Sequence, residues 1–189
     1  MFAKYRLQCH RVFSPMAKLM IRVGLTANAV TSLGLLFALI TSYFLMTNNY
    51  TMTVLALFLT ITLDGLDGLV AKMTGTTKFG DFYDAFVDRL VEIILFTSIA
   101  LTIPDLAFIS LFVLSLSLLV SYIPARAEVW TIGVKIRYRG IGSRAERMIV
   151  LFLGVLFARV EIALYLIGIL SAIGIVQRFF ITYSNLKKA

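Results

Sequence analysis

The sequence predicts an all-α integral membrane protein with six transmembrane helices, preceded by an N-terminal amphipathic helix in the membrane interface. Of its 189 residues, 60% are hydrophobic and 15% are charged, and the mean hydropathy is +0.92. A soluble domain is nearer to half apolar and a quarter charged. A helix needs roughly 20 apolar residues to cross the hydrocarbon layer. Six segments meet or nearly meet this requirement: 28–47, 51–72, 80–103, 106–127, 144–159 and 161–181.

Little sequence lies outside these six segments, so residues 1–189 are expected to form a single membrane domain. Residues 28–181 would be its six-helix bundle and residues 1–24 its interfacial helix. Residues 2–22 place apolar side chains at helical spacing among five cations, a pattern typical of a helix in the interface plane. A disordered basic tail is the alternative. Gly24 is expected to end this helix, and Thr26 or Asn28 to cap the next one.

The positive charges set the predicted orientation. The formal net charge is +8, and Lys and Arg concentrate before the first segment, between the second and third, around the loop between the fourth and fifth, and near the end of the sixth. The loops at residues 47–51 and 102–107 contain neither, and the last loop has only Arg159. The positive-inside rule therefore places both termini on the cytoplasmic side of the cell membrane. No nucleic-acid partner is expected, since a basic side facing anionic lipid accounts for the charge.

Five of the ten acidic residues lie between positions 64 and 88, where the second predicted span ends and the third begins: Asp64, Asp67, Asp81, Asp84 and Asp88. Carboxylates beside hydrocarbon are costly and therefore usually functional. At 100° per residue, the first two share one helix face and the other three share a face of the next helix. Clustered carboxylates repel unless cations lie among them, and oxygen ligands favour Mg²⁺ or Mn²⁺. The pattern predicts a two-metal site for phosphate chemistry, on the cytoplasmic side; a polar vestibule or the ion pathway of a cation transporter is the alternative.

The same stretch resembles the signature of the CDP-alcohol phosphotransferase family, D-x2-D-G-x2-A-R, a short gap, then G-x3-D-x3-D. Seven of the eight fixed positions match in order, and Lys72 replaces the arginine. Lysine keeps the charge but not the planar fork that binds phosphate bidentately. The resemblance implies transfer of a lipid-phosphate group from a CDP-lipid to an alcohol, with release of CMP and two bound Mg²⁺ or Mn²⁺ ions. It also implies a homodimer.

The resemblance assigns roles to particular residues. It implies that Asp64, Asp67 and Asp84 bind the first ion, that Asp64, Asp84 and Asp88 bind the second, and that Asp88 is the general base. Residues 26–31 are similar to the T-P-N-x-V-T stretch of the family, with Ala27 in place of proline. The implied CDP-lipid-binding residues are Asn28, Thr31, Gly68, Lys72 and Thr77. Asp81 and Glu92 extend the acidic stripe but are not expected to be metal ligands.

Two further stretches resemble the branch of the family that makes phosphatidylinositol phosphate and archaetidylinositol phosphate. Residues 121–128 are similar to S-Y-x-K-A-R-A-E, with Pro124 in place of lysine, and residues 143–147 are similar to E-R-x-E-R. Arg126, Arg144 and Arg147 are therefore expected to bind the phosphate of inositol phosphate, with CDP-archaeol or CDP-diacylglycerol as donor. Membrane anchoring or ion pairing is the alternative for each arginine. Pro124 leaves open glycerol phosphate or serine as acceptor, or CDP-inositol as donor.

Cys9 and His10 are the chain's only cysteine and histidine. A single cysteine excludes an internal disulfide and a C-x-x-C metal site. A single histidine excludes a multi-histidine metal site. The candidate chemistry therefore depends on the carboxylates.

Overall fold

A computed structural model describes residues 13–130, 138 and 140–187, and every regular element in that part of the chain is helical. Residues 13–22 are helical and are named α1. The later helices are α2 (Ala27–Met46), α3 (Tyr50–Thr74), α4 (Lys78–Thr102), α5 (Ala107–Trp130), α6 (Arg144–Leu156) and α7 (Val160–Leu186), with a short 3-10 helix at Pro104–Leu106. The predicted all-α class is confirmed. Residues 1–12 of the predicted interfacial helix lie outside the described residues.

Four helical segments in the described part of the chain are long and apolar enough to cross a membrane: α2, α3, α5 with the 3-10 turn before it, and α7. Helix α6 has 13 residues, or about 20 Å at 1.5 Å per residue, against a hydrocarbon layer about 30 Å thick. Helix α4 is long enough, but its stretch from Lys78 to Glu92 contains six charged residues, counting both ends. A multi-pass membrane protein is therefore indicated, and the count of six spans stays a prediction.

Local signals set the helix ends before α2 and between α3 and α4. Gly24 has φ +83°, a backbone conformation that glycine adopts at little cost, and it follows the end of α1 as predicted. Thr26 is the N-cap of α2, since its Oγ1 accepts a hydrogen bond of 3.3 Å from the Ala29 N–H. Gly75 has φ +103° and ends α3. The Thr77 Oγ1 then accepts a hydrogen bond of 2.9 Å from the Gly80 N–H in the first turn of α4.

The chain divides into two compact units, one ending at Leu95 and the other beginning at Phe96. In the first unit, α2 packs along α3. Val30, Leu66 and Val70 are fully buried there, and Ala17 of α1 belongs to the same core. This packing fixes the polar side chains beside it, namely the first turn of α2 and the acidic part of α3. The single domain over residues 1–189 stays a prediction.

In the second unit, α7 packs against both α5 and α6. The loop before α6 lies directly on α7. Gly142 has φ +82°, and a Cβ there would lie 2.5 Å from the Leu170 carbonyl oxygen; a Cβ on Gly174 would lie 2.8 Å from the Ile141 oxygen. The Gln177 Oε1 accepts a hydrogen bond of 3.0 Å from the Ile141 N–H. This close packing of the loop on α7 at Gly174 fixes where α6 begins.

Candidate active site

A cavity of about 490 Å³ lies in the first unit, between the N-terminal ends of α2 and α4 and the C-terminal end of α3. All five residues predicted to bind CDP-lipid line it, together with two of the predicted metal ligands: Asn28, Thr31, Gly68, Lys72, Thr77, Asp67 and Asp84. Two helix N-termini border this cavity, and such termini favour anions through their free N–H groups and dipole. The separate sequence matches therefore converge on one site.

Asp67 is buried and accepts hydrogen bonds at both carboxylate oxygens. Its side chain is 5% exposed. The Thr31 hydroxyl of α2 donates a hydrogen bond of 2.8 Å to Asp67 Oδ2, and the Gly68 N–H donates one of 2.6 Å to Oδ1. Each oxygen keeps further lone-pair capacity. The carboxylate is therefore oriented by the protein itself, and Thr31 has a contact with the acidic motif that sequence spacing does not indicate.

The other acids differ in their relation to the cavity. Asp84 is exposed and lines it, and both Asp84 and Asp64 lie within electrostatic range of Asp67. Asp64 and Asp88 are not among the lining residues, because each lies one helical turn further from the α3–α4 turn. Asp88 is paired with the Arg89 guanidinium at 3.6 Å. The cavity thus brings together one predicted metal ligand from each half of the motif, Asp67 and Asp84.

The site fits a divalent cation in its donor chemistry. Among residues 13–130, 138 and 140–187, no three Asp, Glu, His or Cys side chains lie close enough together to hold a metal, and neighbouring carboxylates repel one another. The donors are nevertheless all carboxylates, as Mg²⁺ and Mn²⁺ prefer. A Cβ on Gly68 would have no neighbouring atom within 4 Å, so the backbone at Gly68 is open to a ligand.

Asn28 and Thr77 have structural contacts at the same place. A Cβ added to Gly80 would lie 3.0 Å from Thr77 Oγ1 and 3.3 Å from Asn28 Oδ1. The absence of a side chain at Gly80 therefore lets the first turn of α2 approach the first turn of α4. Asp81 also lines the cavity, although the family resemblance does not imply that it binds a metal ion.

The three arginines predicted to bind the acceptor phosphate belong to the second unit. Arg147 is 1% exposed, and its Nη1 donates a hydrogen bond of 2.7 Å to the Gly142 carbonyl oxygen. Arg144 is half-buried in the first turn of α6. Arg126 is exposed, with its guanidinium 5.4 Å from the centroid of the Trp130 ring. Acceptor binding by these residues stays a prediction.

Arg178 of α7 is a further cation at this end of the second unit. It is one of the cations near the end of the last predicted span. Its Nη1 donates a hydrogen bond of 3.2 Å to the Val120 carbonyl oxygen, and Arg147 and Glu146 are its charged neighbours. No spacing in the sequence connects α7 with the start of α6, because this proximity arises only from tertiary packing.

The chain matches known proteins along most of its length. Residues 24–181 match the CDP-alcohol phosphatidyltransferase family. The chain is 35% identical over 184 residues to the archaetidylinositol phosphate synthase of Pyrococcus horikoshii, covering 95% of each sequence. It is similar to the crystal structure of Mycobacterium tuberculosis phosphatidylinositol phosphate synthase with CDP-DAG bound, with 27% identity and a TM-score of 0.76 over 92% of this chain and 94% of that one.

A second structure of the mycobacterial enzyme contains manganese and citrate. It is 26% identical to this chain, with a TM-score of 0.76, and the match covers 90% of this chain and 88% of that one. Manganese is one of the two ions that the carboxylate donors here fit.

Proposed function

Because the chain belongs to the CDP-alcohol phosphatidyltransferase family, we propose that it transfers a lipid-phosphate group from a CDP-lipid to inositol phosphate and releases CMP. The observation that carries this proposal is the cavity where all five predicted donor-binding residues meet Asp67 and Asp84. Further support comes from relatives that are archaetidylinositol phosphate and phosphatidylinositol phosphate synthases. The product would be a phosphoinositide of the cell membrane.

The cavity suits the nucleotide and pyrophosphate of the donor. Its volume of about 490 Å³ lies within the roughly 300–1,000 Å³ of small-molecule sites. The N-termini of α2 and α4 and the Lys72 ammonium offer positive potential to the pyrophosphate. Asn28 and Thr77 line the same space and offer side-chain hydrogen-bonding groups. The hydrocarbon chains of the archaeol or diacylglycerol group would extend from this cavity into the hydrocarbon layer.

Asp64, Asp67, Asp84 and Asp88 would hold the divalent cations. By the family assignment two Mg²⁺ or Mn²⁺ ions are expected, with Asp64 and Asp84 shared between them. Bound cations would neutralise the charge of the pyrophosphate and the charge that develops on the leaving CMP. Thr31 and the Gly68 N–H would keep Asp67 in one orientation for this role.

The proposed reaction is a displacement at phosphorus. A hydroxyl oxygen of the acceptor attacks the lipid-linked phosphorus of the donor and forms a new P–O bond. The bond from that phosphorus to the bridging oxygen breaks, and the bridging oxygen leaves on CMP with the bonding electron pair. The hydroxyl proton passes to the Asp88 carboxylate, which acts as general base. Phosphorus keeps its oxidation state, so the reaction requires no redox partner.

The acceptor phosphate would be bound by Arg126, Arg144 and Arg147. Guanidinium groups bind phosphate oxygens through paired N–H donors, whereas a neutral acceptor offers nothing comparable. This favours inositol phosphate over free inositol or serine. Glycerol phosphate as acceptor, or CDP-inositol as donor, would use the same chemistry, and a cation transporter is the alternative outside the enzyme class.

We also propose how the protein lies in the membrane. Helices α2 to α7 would form six spans, with α1 and the residues before it in the cytoplasmic interface. The acidic site and both termini would face the cytoplasm, as the distribution of Lys and Arg indicates. Two copies would form a homodimer, as the family resemblance implies.

The test is metal-dependent CMP release by the purified protein. With CDP-archaeol or CDP-diacylglycerol, inositol phosphate and Mg²⁺ or Mn²⁺, we expect CMP to form and EDTA to stop its formation. Arg144→Ala should raise the KM for inositol phosphate about 10-fold, as expected for a lost charge-assisted hydrogen bond, and leave the KM for CDP-lipid unchanged. CMP release that continues in EDTA would contradict the role of the carboxylates. Cation transport without CMP release would support the transporter.

A further inference from the structure

An exposed hydrogen bond joins α2 and α4 next to residues that line the cavity. The Ser32 Oγ of α2 lies 2.8 Å from the Tyr83 hydroxyl of α4. Tyr83 directly precedes Asp84, and Ser32 directly follows Thr31. Neither Ser32 nor Tyr83 lines the cavity, whereas both of those chain neighbours do.

The direction of the Tyr83–Ser32 hydrogen bond follows from the number of protons that the Ser32 hydroxyl can donate. Ser32 Oγ donates a hydrogen bond of 2.8 Å to the Asn28 carbonyl oxygen one turn earlier in α2. A serine hydroxyl has a single proton and two acceptor lone pairs. Tyr83 must therefore donate to Ser32, and the chain of hydrogen bonds runs from Tyr83 through Ser32 to Asn28.

Helices α2 and α4 also approach each other closely at Asn28 and Gly80, one turn before Ser32 and Tyr83. Asn28 Oδ1 lies 3.3 Å from where a Cβ on Gly80 would be. Asn28 and Ser32 are four residues apart on α2, and Gly80 and Tyr83 are three apart on α4, so each pair shares one helix face. We call these four residues the α2–α4 seam. The Tyr83 ring also stacks on Phe79, with centroids 5.9 Å apart, which limits where the hydroxyl can point.

We infer that Ser32 and Tyr83 are positioning residues for the CDP-lipid and cation site. Their hydrogen bond fixes α4, which carries Asp84, against the start of α2, which carries Asn28 and Thr31. The inference rests on the proposed function, since it concerns how the same cavity is held in shape. It adds two residues that are not fixed positions of the family motif and do not line the cavity.

The α2–α4 seam should be rigid because α2 and α4 each contribute residues to the same cavity. Asp67 of α3 is oriented by Thr31 of α2, whereas Asp84 belongs to α4. Only the short segment Gly75–Thr77 joins α3 to α4, and its residues are exposed. Small displacements of reacting groups cost large factors in rate. Loss of the Tyr83–Ser32 bond should therefore weaken cation and donor binding without unfolding the helices.

The test uses Tyr83→Phe, Ser32→Ala and the double variant. Tyr83→Phe keeps the ring and its stacking and removes only the hydroxyl. We expect each single variant to raise the KM for CDP-lipid roughly 3- to 10-fold, the range for one net hydrogen bond, with no change in the KM for inositol phosphate. The double variant should match Ser32→Ala, because that single variant already lacks the bond that Tyr83→Phe removes. Ser32→Thr keeps a hydroxyl at this position and should keep the wild-type KM for CDP-lipid.

Mn²⁺ binding gives a readout that does not depend on turnover. Titration of the purified protein with Mn²⁺, followed by the EPR signal of the free ion, should show a weaker Kd in Tyr83→Phe and Ser32→Ala. Tyr165→Phe and Ser115→Ala are matched controls, since both residues are exposed and lie in the second unit. Neither control should change the Mn²⁺ Kd or the KM for CDP-lipid.

The outcomes separate the inference from the proposed function. If the wild-type protein turns over CDP-lipid and the seam variants keep both its KM and the Mn²⁺ Kd within 2-fold, the positioning role is wrong. If the wild-type protein releases no CMP from any CDP-lipid, the proposed function fails. The Mn²⁺ titration of the same variants then still decides whether the seam positions the carboxylates. An equal loss in the control variants would also contradict the inference.

Discussion

Asp67 shows how neighbouring residues prepare a single carboxylate for a ligand. It is buried, yet Thr31 and the Gly68 N–H each donate a hydrogen bond to it. Burial of a carboxylate is costly unless hydrogen bonds or a cation offset the cost. The two donors offset part of this cost and hold the carboxylate in place, and a bound cation would offset more. This arrangement makes Asp67 the acid whose replacement is most informative.

We predict that Asp67→Asn lowers kcat by at least about 10²-fold. The amide keeps the shape of the side chain and accepts hydrogen bonds through one oxygen, but it has no negative charge for a divalent cation. The measurement is CMP release at saturating CDP-lipid and Mg²⁺. Asp105→Asn is the control, since Asp105 is an exposed residue in the 3-10 turn beyond the far end of α4. An Asp67→Asn protein with wild-type turnover would remove Asp67 from the ligand set.

Two glycines of α3 make a matched pair. A Cβ added to Gly65 or to Gly68 would have no atom within 4 Å, but only Gly68 lines the cavity. Alanine in a helix interior is favoured over glycine by about 1 kcal/mol, so both substitutions should keep or raise the Tm. We predict that only Gly68→Ala raises the KM for CDP-lipid, because its methyl group enters the space of the ligand. Equal KM values in the two variants would show that no ligand approaches the backbone at Gly68.

At the scale of helices, several local features could be predicted from the sequence alone. Gly24 ends α1 and Thr26 caps α2, because positive φ and N-capping depend on single residues. The acidic stripe and the residues of the donor site followed from helical periodicity and family spacing. Each predicted span also corresponds to one of the helices α2 to α7, since apolar composition and length determine where such helices form.

Other features depend on which helix faces meet, and these were not predicted. The Arg147 guanidinium bonds to the Gly142 carbonyl, and the Tyr83 hydroxyl bonds to Ser32. Both contacts require the chain to turn back on itself, and spacing along one helix gives no information about them. The end of α6 is a further difference, since the predicted span continues to residue 159 whereas residues 157–159 form the turn before α7.

The loop before α6 is the element whose packing most clearly limits substitution. Gly142 combines φ +82° with a backbone carbonyl 2.5 Å from where its Cβ would be. We predict that Gly142→Ala destabilises the protein by about 1–3 kcal/mol, the usual cost of such strain, seen as a lower Tm in detergent. Gly168→Ala is the control, because its Cβ would meet only Val113 Cγ2 at 3.4 Å. A Tm for Gly142→Ala equal to that of Gly168→Ala would contradict the close contact between this loop and α7.

For the whole molecule, the charge distribution predicts orientation, and the chain's only cysteine makes it measurable. Cys9 is expected on the cytoplasmic side, together with the acidic site. In sealed right-side-out vesicles, an impermeant maleimide should label Cys9 only after permeabilisation. The Cys9→Ser/Asp105→Cys protein should be labelled before it, because the loop at residues 102–107 lacks Lys and Arg and is expected outside. The reverse labelling pattern would place the acidic site on the external face.

The most direct test of the whole account is transfer of labelled inositol phosphate into lipid. The purified protein is incubated with Mg²⁺ and CDP-archaeol or CDP-diacylglycerol, and the lipid product is identified by mass spectrometry. We predict a lipid that contains inositol and two phosphate groups, formed in equal amount to CMP, with none formed in EDTA or by Asp67→Asn. Equal transfer of free inositol or serine would contradict the acceptor assignment. Absence of any lipid product with every acceptor would contradict the central claim.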